Sequence, residues 1–205
     1  MYLVKAFFLD RDGVINIDHG YLSKPEQFEF NPGVFDACKL IKDAGYAIVI
    51  VTNQSGIARG YFSEQAFLQL NNWMLAQFAQ KGINIDKVYY CPHHAKNGQG
   101  HYLLDCDCRK PKPGMLLKAK EAFDIDMANS VIVGDKVSDM EAGKSAGVRT
   151  GYLISSDYHE VQQLEGVTVT DSLLSAVRHV IGKQKGTYAR ASFFCYLEAE
   201  TYTSR

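Results

Sequence analysis

The stretch FFLDRDGVIN, residues 7–16, is an apolar run that stops at two aspartates one residue apart. A buried strand has no use for carboxylates at its end, and Asp10 and Asp12 repel each other unless a cation or a reaction rewards the pairing. In open α/β sheets, ligands bind beyond the carboxyl ends of the strands. The rest of the chain is therefore read for further strands that end in polar residues.

Apolar runs at 3–9, 47–51, 87–91, 130–133 and 150–153, with a weaker one at 167–170, predict strands, most of them buried on both faces. Helical stretches fall between them at 33–44, 63–80, 113–123, 137–146 and 172–181. Gly45 suits a left-handed cap, Ser63 an N-cap and Pro113 a first turn. Strand–helix alternation predicts an α/β fold: a Rossmann-like, doubly wound parallel sheet with helices on both faces. The chain reads as a single domain over 1–181 with a tail at 182–205. That tail has no clear period; Phe193, Phe194, Tyr196 and Leu197 give it an aromatic patch, and a disordered end is at least as good a reading.

A net charge of −1 leaves no basic surplus for non-specific nucleic-acid binding. No run approaches the ~20 apolar residues of a membrane span, and the N-terminus does not read as a signal peptide, so a cytoplasmic monomer is expected. Of five cysteines, Cys91, Cys106 and Cys108 share one loop at 89–114, which looks more like a metal site than a disulfide framework. With an imidazole from His93, His94 or His101, C-x-H…C-x-C makes a closed tetrahedral zinc site of structural type. Free thiols or one disulfide remain the bland alternative. Cys38 and Cys195 lie elsewhere and are not assigned to metal.

Four strand ends carry chemistry: Asp10 and Asp12; Thr52 and Asn53; Arg109 and Lys110, from the long loop; and Asp135, with Asp139 nearby. Carboxylates, a hydroxyl, an amide and two cations suit phosphoryl transfer, in which positioning and charge neutralisation do most of the catalysis. A carboxylate can itself attack phosphorus, and Mg²⁺ suits the remaining acids. Taken alone, D-x-D-G reads better as a turn or helix cap with Gly13 at positive φ; four strand ends contributing in order reverse that.

FFLDRDGVIN, VTNQSGIARG (51–60), CRKPKPG (108–114) and VGDKVSDM (133–140) resemble, in order, the four signature motifs of the haloacid dehalogenase-like (HAD-like) hydrolases in their phosphatase form. The resemblance implies Asp10 as nucleophile and Mg²⁺ ligand. It implies Asp12 as general acid and then base, binding Mg²⁺ through its main-chain carbonyl. Thr52 and Lys110 would hold the phosphoryl group, and Asp135 would complete the Mg²⁺ shell. It prefers His93 for the zinc site, beside Cys91, Cys106 and Cys108. The segments between motifs are too short for a large cap domain.

Within the superfamily, NIDHGYL (16–22), TNQSGIARGYF (52–62), YYCPHH (89–94) and GMLLKA (114–119) are similar to the D-glycero-D-manno-heptose 1,7-bisphosphate 7-phosphatase family. That likeness implies a sugar-bisphosphate substrate used in ADP-heptose and cell-surface glycan (lipopolysaccharide) biosynthesis. Sugar and phosphate contacts would come from Asp18, His19, Gly20, Tyr21, Asn53, Gln54, Ser55, Arg59, Arg109 and Lys136. Arg59 and Lys136 would serve equally as surface charges, and His19 as a turn residue. The rival readings are a histidinol-phosphate phosphatase, a broad sugar-phosphate phosphatase, and a zinc-stabilised protein that binds a phosphorylated ligand without turnover.

Overall fold

The computed structural model describes residues 3–154 and 165–183. The tail patch from Phe193 to Leu197 and Cys195 lie outside them. Strands β1 (Ala6–Leu9), β2 (Ala47–Asn53), β3 (Lys87–Cys91), β4 (Val131–Gly134), β5 (Thr150–Ile154) and β6 (Val167–Thr170) form one parallel sheet in the order β3-β2-β1-β4-β5-β6. Helices α1 (Val34–Asp43), α2 (Ser55–Ala58), α3 (Glu64–Gln80), α4 (Gly114–Phe123) and α5 (Val137–Ser145) lie between strands, and α6 spans 173–183. The fold is the expected α/β one, without a large cap. No helix among the described residues is long and apolar enough to cross a membrane.

The two faces of each central strand feed two cores. Phe7, Leu9, Ile48, Ile50, Val131 and Val133 pack under α1, α3 and α6. Phe8, Val49, Val51 and Ile132 pack under α4 and α5. Burying side chains of this size stabilises the fold by about 1.5–3 kcal/mol each, which is why these runs are apolar without alternation.

The expected boundaries shift for physical reasons. β1 begins at Ala6 because Leu3 and Val4 are exposed, Val4 making only a bridge to Ile125. β2 runs on through Thr52 and Asn53, whose side chains are polar but whose backbones pair with Tyr90 and Cys91. Ser63 caps α3 as predicted, its hydroxyl oxygen accepting from the Ala66 N–H at 3.1 Å. The edge strand β3 is only half-buried.

Between β1 and β4 the chain's progress across the sheet reverses: β2 and β3 lie to one side, β5 and β6 to the other. This switch point opens a crevice at the carboxyl edge.

Candidate active site

Asp10 leaves β1 directly into that crevice, its N–H donating to the Val133 carbonyl at 3.0 Å. The chain then turns back within a few residues, the Arg11 carbonyl accepting from Ile15 (2.8 Å) and Asn16 (3.1 Å). Gly13 makes the turn possible. Its φ is +88°, and a Cβ there would stand 2.5 Å from Asp135 Oδ2. Gly134, ending β4, has a similar role: its own Cβ would overlap the Asp139 side chain.

These close approaches gather Asp10, Asp135 and Asp139 so that one oxygen of each lies within 4.8 Å of the others. Lys110 reaches into the group from the long loop. Its ammonium is 3.1 Å from Asp10 Oδ1 and 2.5 Å from Asp139 Oδ1, and donates to the Val51 carbonyl at 2.7 Å. Even with Lys136 3.2 Å from Asp135 Oδ2, two ammoniums do not balance three acids. Burial, only partly opposed by Lys110, pushes the Asp10 carboxyl up to about 7, with Asp139, Asp12 and Asp135 adding to the rise. Burial also raises Asp135, whose Oδ1 is buried without a hydrogen-bond donor. Clustered oxygens, excess negative charge and an orphaned buried acceptor fit a divalent, oxygen-preferring cation such as Mg²⁺.

Asp12 is held apart from this cluster. Arg11 Nη2 donates to both its oxygens at 3.0 Å, with Asn16 Nδ2 at 3.0 Å and Gln54 Nε2 at 2.9 Å. Burial alone would raise Asp12, but the Arg11 charge and these donors bring it below the ordinary carboxylate value. Gln54 Nε2 also donates to Thr52 Oγ1 at 2.8 Å. Thr52 itself lines the crevice, with its hydroxyl proton not needed by Gln54.

The crevice is a cleft of about 660 Å³ whose lining includes Asp10, Asp12, Thr52, Arg109, Lys110 and Lys136. Asp18, Gly20, Tyr21, Asn53, Gln54 and Ser55 line it too, whereas His19 and Arg59 do not. His19 faces Glu29 at 3.5 Å, and Arg59 lies 3.4 Å from His94 Nε2. Asn53 turns its amide onto the Lys110 backbone, and Arg109 donates to the His93 carbonyl at 3.3 Å. Lys136 bridges Asp135 (3.2 Å) and Asp18 (3.3 Å).

Beside the cleft, Cys91, His93, Cys106 and Cys108 converge. Sulfur–sulfur separations are 3.4 and 3.2 Å, and His93 Nδ1 is 3.8 and 3.5 Å from Cys91 and Cys108. A tetrahedral ion about 2.3 Å from each sulfur asks for edges near 3.8 Å, so small adjustments would seat zinc. The rival imidazoles are committed elsewhere: His94 Nδ1 accepts from Lys96 and Asn97, and His101 packs on Tyr102. Glu64 ties the loop to α3 by accepting from Tyr90 and Tyr102, each at 2.7 Å.

The comparisons with known proteins place the chain in a family. A family model described as HAD-hydrolase-like matches residues 107–176. A D-glycero-beta-D-manno-heptose-1,7-bisphosphate 7-phosphatase of Vibrio cholerae is 50% identical over 182 residues, covering 88% of this chain and 98% of that protein. The chain belongs to the heptose-1,7-bisphosphate 7-phosphatase family of HAD-like hydrolases.

Another relative in the family, the D-glycero-alpha-D-manno-heptose-1,7-bisphosphate 7-phosphatase of Campylobacter jejuni, is 51% identical over 76% of this chain and 86% of its own. Among solved structures, the D,D-heptose 1,7-bisphosphate phosphatase of B. bronchiseptica, complexed with magnesium and phosphate, superposes with a TM-score of 0.78 at 30% identity. It covers 88% of this chain and 99% of that one.

Two features of this family member lay beyond the sequence reading. Asp139 was noted beside Asp135 but given no role, and it pairs with Lys110. Arg11 and Asn16 went unassigned, though a cation between two acids at the end of an apolar run was a visible signal.

Proposed function

We propose that the protein is a Mg²⁺-dependent phosphatase that removes the 7-phosphate of D-glycero-D-manno-heptose 1,7-bisphosphate, in ADP-heptose and cell-surface glycan biosynthesis. Two things support this: the family, and the sorting of two acids at one strand end, Asp10 onto Lys110 and Asp12 onto Arg11. The second is the observation that carries the chemistry.

The Asp10 carboxylate attacks phosphorus and the bond to the sugar oxygen breaks, giving an aspartyl phosphate. The negative charge of the bound phosphates raises Asp12 against the pull of Arg11, and the proton it then holds passes to the departing sugar oxygen. Water then attacks the phosphorus of the aspartyl phosphate, Asp12 taking the water proton as inorganic phosphate leaves and Asp10 is regenerated. Lys110 and the Thr52 hydroxyl meet the charge on the phosphoryl oxygens. Asp10, Asp135 and the Asp12 carbonyl would hold Mg²⁺, which supplies neutralisation among the acids and at phosphate. Arg109 offers a fork for the phosphate that is not cleaved, and Asp18, Gly20 and Tyr21 form the wall facing the sugar. Zinc, held by the four loop ligands, would be structural, fixing Cys108 and hence Arg109 and Lys110. The reading takes 1–181 as one cytoplasmic, monomeric phosphatase domain.

The test is phosphate release, with Mg²⁺ present, from both anomers of the heptose bisphosphate and from histidinol phosphate, with the surviving phosphate located by phosphorus NMR. A product phosphorylated at position 1 is expected. Preference for histidinol phosphate, or loss of the 1-phosphate, overturns the proposal.

A further inference from the structure

Arg11 is 1% exposed, among the largest fully buried side chains of the protein. Its guanidinium stands 5.4 Å from the centre of the Phe67 ring and 6.0 Å from that of Phe28. Burying a cation there costs more than burying an apolar side chain of similar volume. Nη1 is also buried with no partner. Arg11 is therefore poorly explained as a stabilising core residue.

Its other nitrogens act chiefly on one neighbour, Nη2 making only one further, longer contact, to Gln54 Oε1 at 3.4 Å. Nη2 donates to Asp12 Oδ1 and Oδ2, each at 3.0 Å, and Nε to Oδ1 at 3.2 Å. The aromatic rings leave the planar fork little freedom to turn, so Asp12 is held in one orientation. That orientation keeps Asp12 off Lys110, whose ammonium meets Asp10 and Asp139 instead. A lysine, as a single flexible point charge, would not fix both oxygens.

We propose that Arg11 is a positioning residue for leaving-group protonation: its buried fork fixes the Asp12 carboxyl where it meets the departing sugar oxygen. The inference rests on Asp12 being the general acid. It makes a specific demand. Arg11 should matter in proportion to how badly the leaving group needs a proton, and hardly at all for a phenolate that leaves unaided.

The experiment compares kcat/KM for Arg11→Met, Arg11→Lys, Asp12→Asn and the parent protein, all with Mg²⁺ and zinc. The substrates run from p-nitrophenyl phosphate through less acidic aryl phosphates to the sugar bisphosphate. The ratio kcat/KM reports steps up to release of the alcohol and is blind to later hydrolysis of the aspartyl phosphate. Asp12→Asn should give a steep dependence on leaving-group pKa, which tests the general-acid reading by itself. Arg11→Met should also steepen it, losing on the order of 10²-fold on the sugar phosphate and far less on p-nitrophenyl phosphate. Arg11→Lys should fall between Arg11→Met and the parent. If Asp12→Asn is steep while both Arg11 variants lose equally on every substrate, Arg11 is only structural and the proposal fails. If Asp12→Asn is itself flat, the general-acid reading falls first. Should Arg11→Met not fold, the slope for Arg11→Lys decides, a parental slope overturning the proposal.

Discussion

Asn53 and Lys110, 57 residues apart, hold each other by a reciprocal pair of hydrogen bonds: Asn53 Nδ2 to the Lys110 carbonyl at 3.0 Å, and the Lys110 N–H to Asn53 Oδ1 at 3.1 Å. A side chain at the end of β2 thus sets the height of the loop that delivers the active-site ammonium. Asn53→Ala should lower kcat roughly 10–100-fold with little change in KM. It should cost about 1–3 kcal/mol of stability, because the Lys110 backbone groups lose their partner. Steady-state kinetics and urea unfolding check both numbers; a change confined to KM would place Asn53 on the substrate instead.

Replacing Asp10 by Asn removes the proposed nucleophile but keeps its shape. Turnover should drop on the order of 10⁴-fold or more. Metal-free stability at pH 8 should rise, because a buried carboxylate among three others is gone and Lys110 keeps Asp139. For a chain of this size the melting point should gain about 2–4 °C per kcal/mol relieved. Calorimetry without Mg²⁺ measures it; a fall in melting temperature contradicts the account.

The same cluster predicts a pH dependence. Asp10 titrates near 7 in the metal-free fold against an ordinary 3.8, and Asp135 is shifted the same way. Across that window the folded protein keeps protons that the unfolded chain has shed, so metal-free stability falls as pH rises from about 4 to 7. Mg²⁺ needs the ionised forms, so its stabilising increment should grow over the same range. Melting curves with and without Mg²⁺, zinc retained, test the difference; an increment independent of pH would refute it.

Stripping zinc should reduce turnover by misplacing Lys110, although zinc itself does not touch the substrate. Zinc on the four proposed ligands would immobilise residues up to Cys108, and Arg109 and Lys110 follow at once. A chelated protein with Mg²⁺ restored should stay impaired until zinc returns, while full activity without zinc would exclude the coupling. Alkylation gives a second readout. Cys106 and Cys108 should become reactive on chelation, whereas Cys38, fully buried and pushed up to about 12 by that burial, should stay unlabelled in the folded protein.

The central strands were legible because both faces are buried, which leaves a plain apolar run. The ends of β1 and β2 were not: exposure of Leu3 and Val4 shortened one, and polar Thr52 and Asn53 hid the continuation of the other. Helix α2 sits inside a motif and contains Gly56, so no local preference announced it. Spacing was enough to propose the acids and the three loop cysteines, while the choice of His93 came from the family resemblance. It could not show how Asp139 meets Lys110, or that Arg11 folds inward to grip Asp12, because those pairings depend on side-chain direction in three dimensions.

β1 rises toward the cleft from the opposite end of the sheet, and α6 descends again from the carboxyl end of β6. Residues 3 and 183 therefore both lie on the side away from the chemistry. A surface linker, affinity handle or reporter joined at residue 3 or residue 183 would start on the face opposite the cleft, a convenience for immobilised synthesis of phosphorylated heptoses.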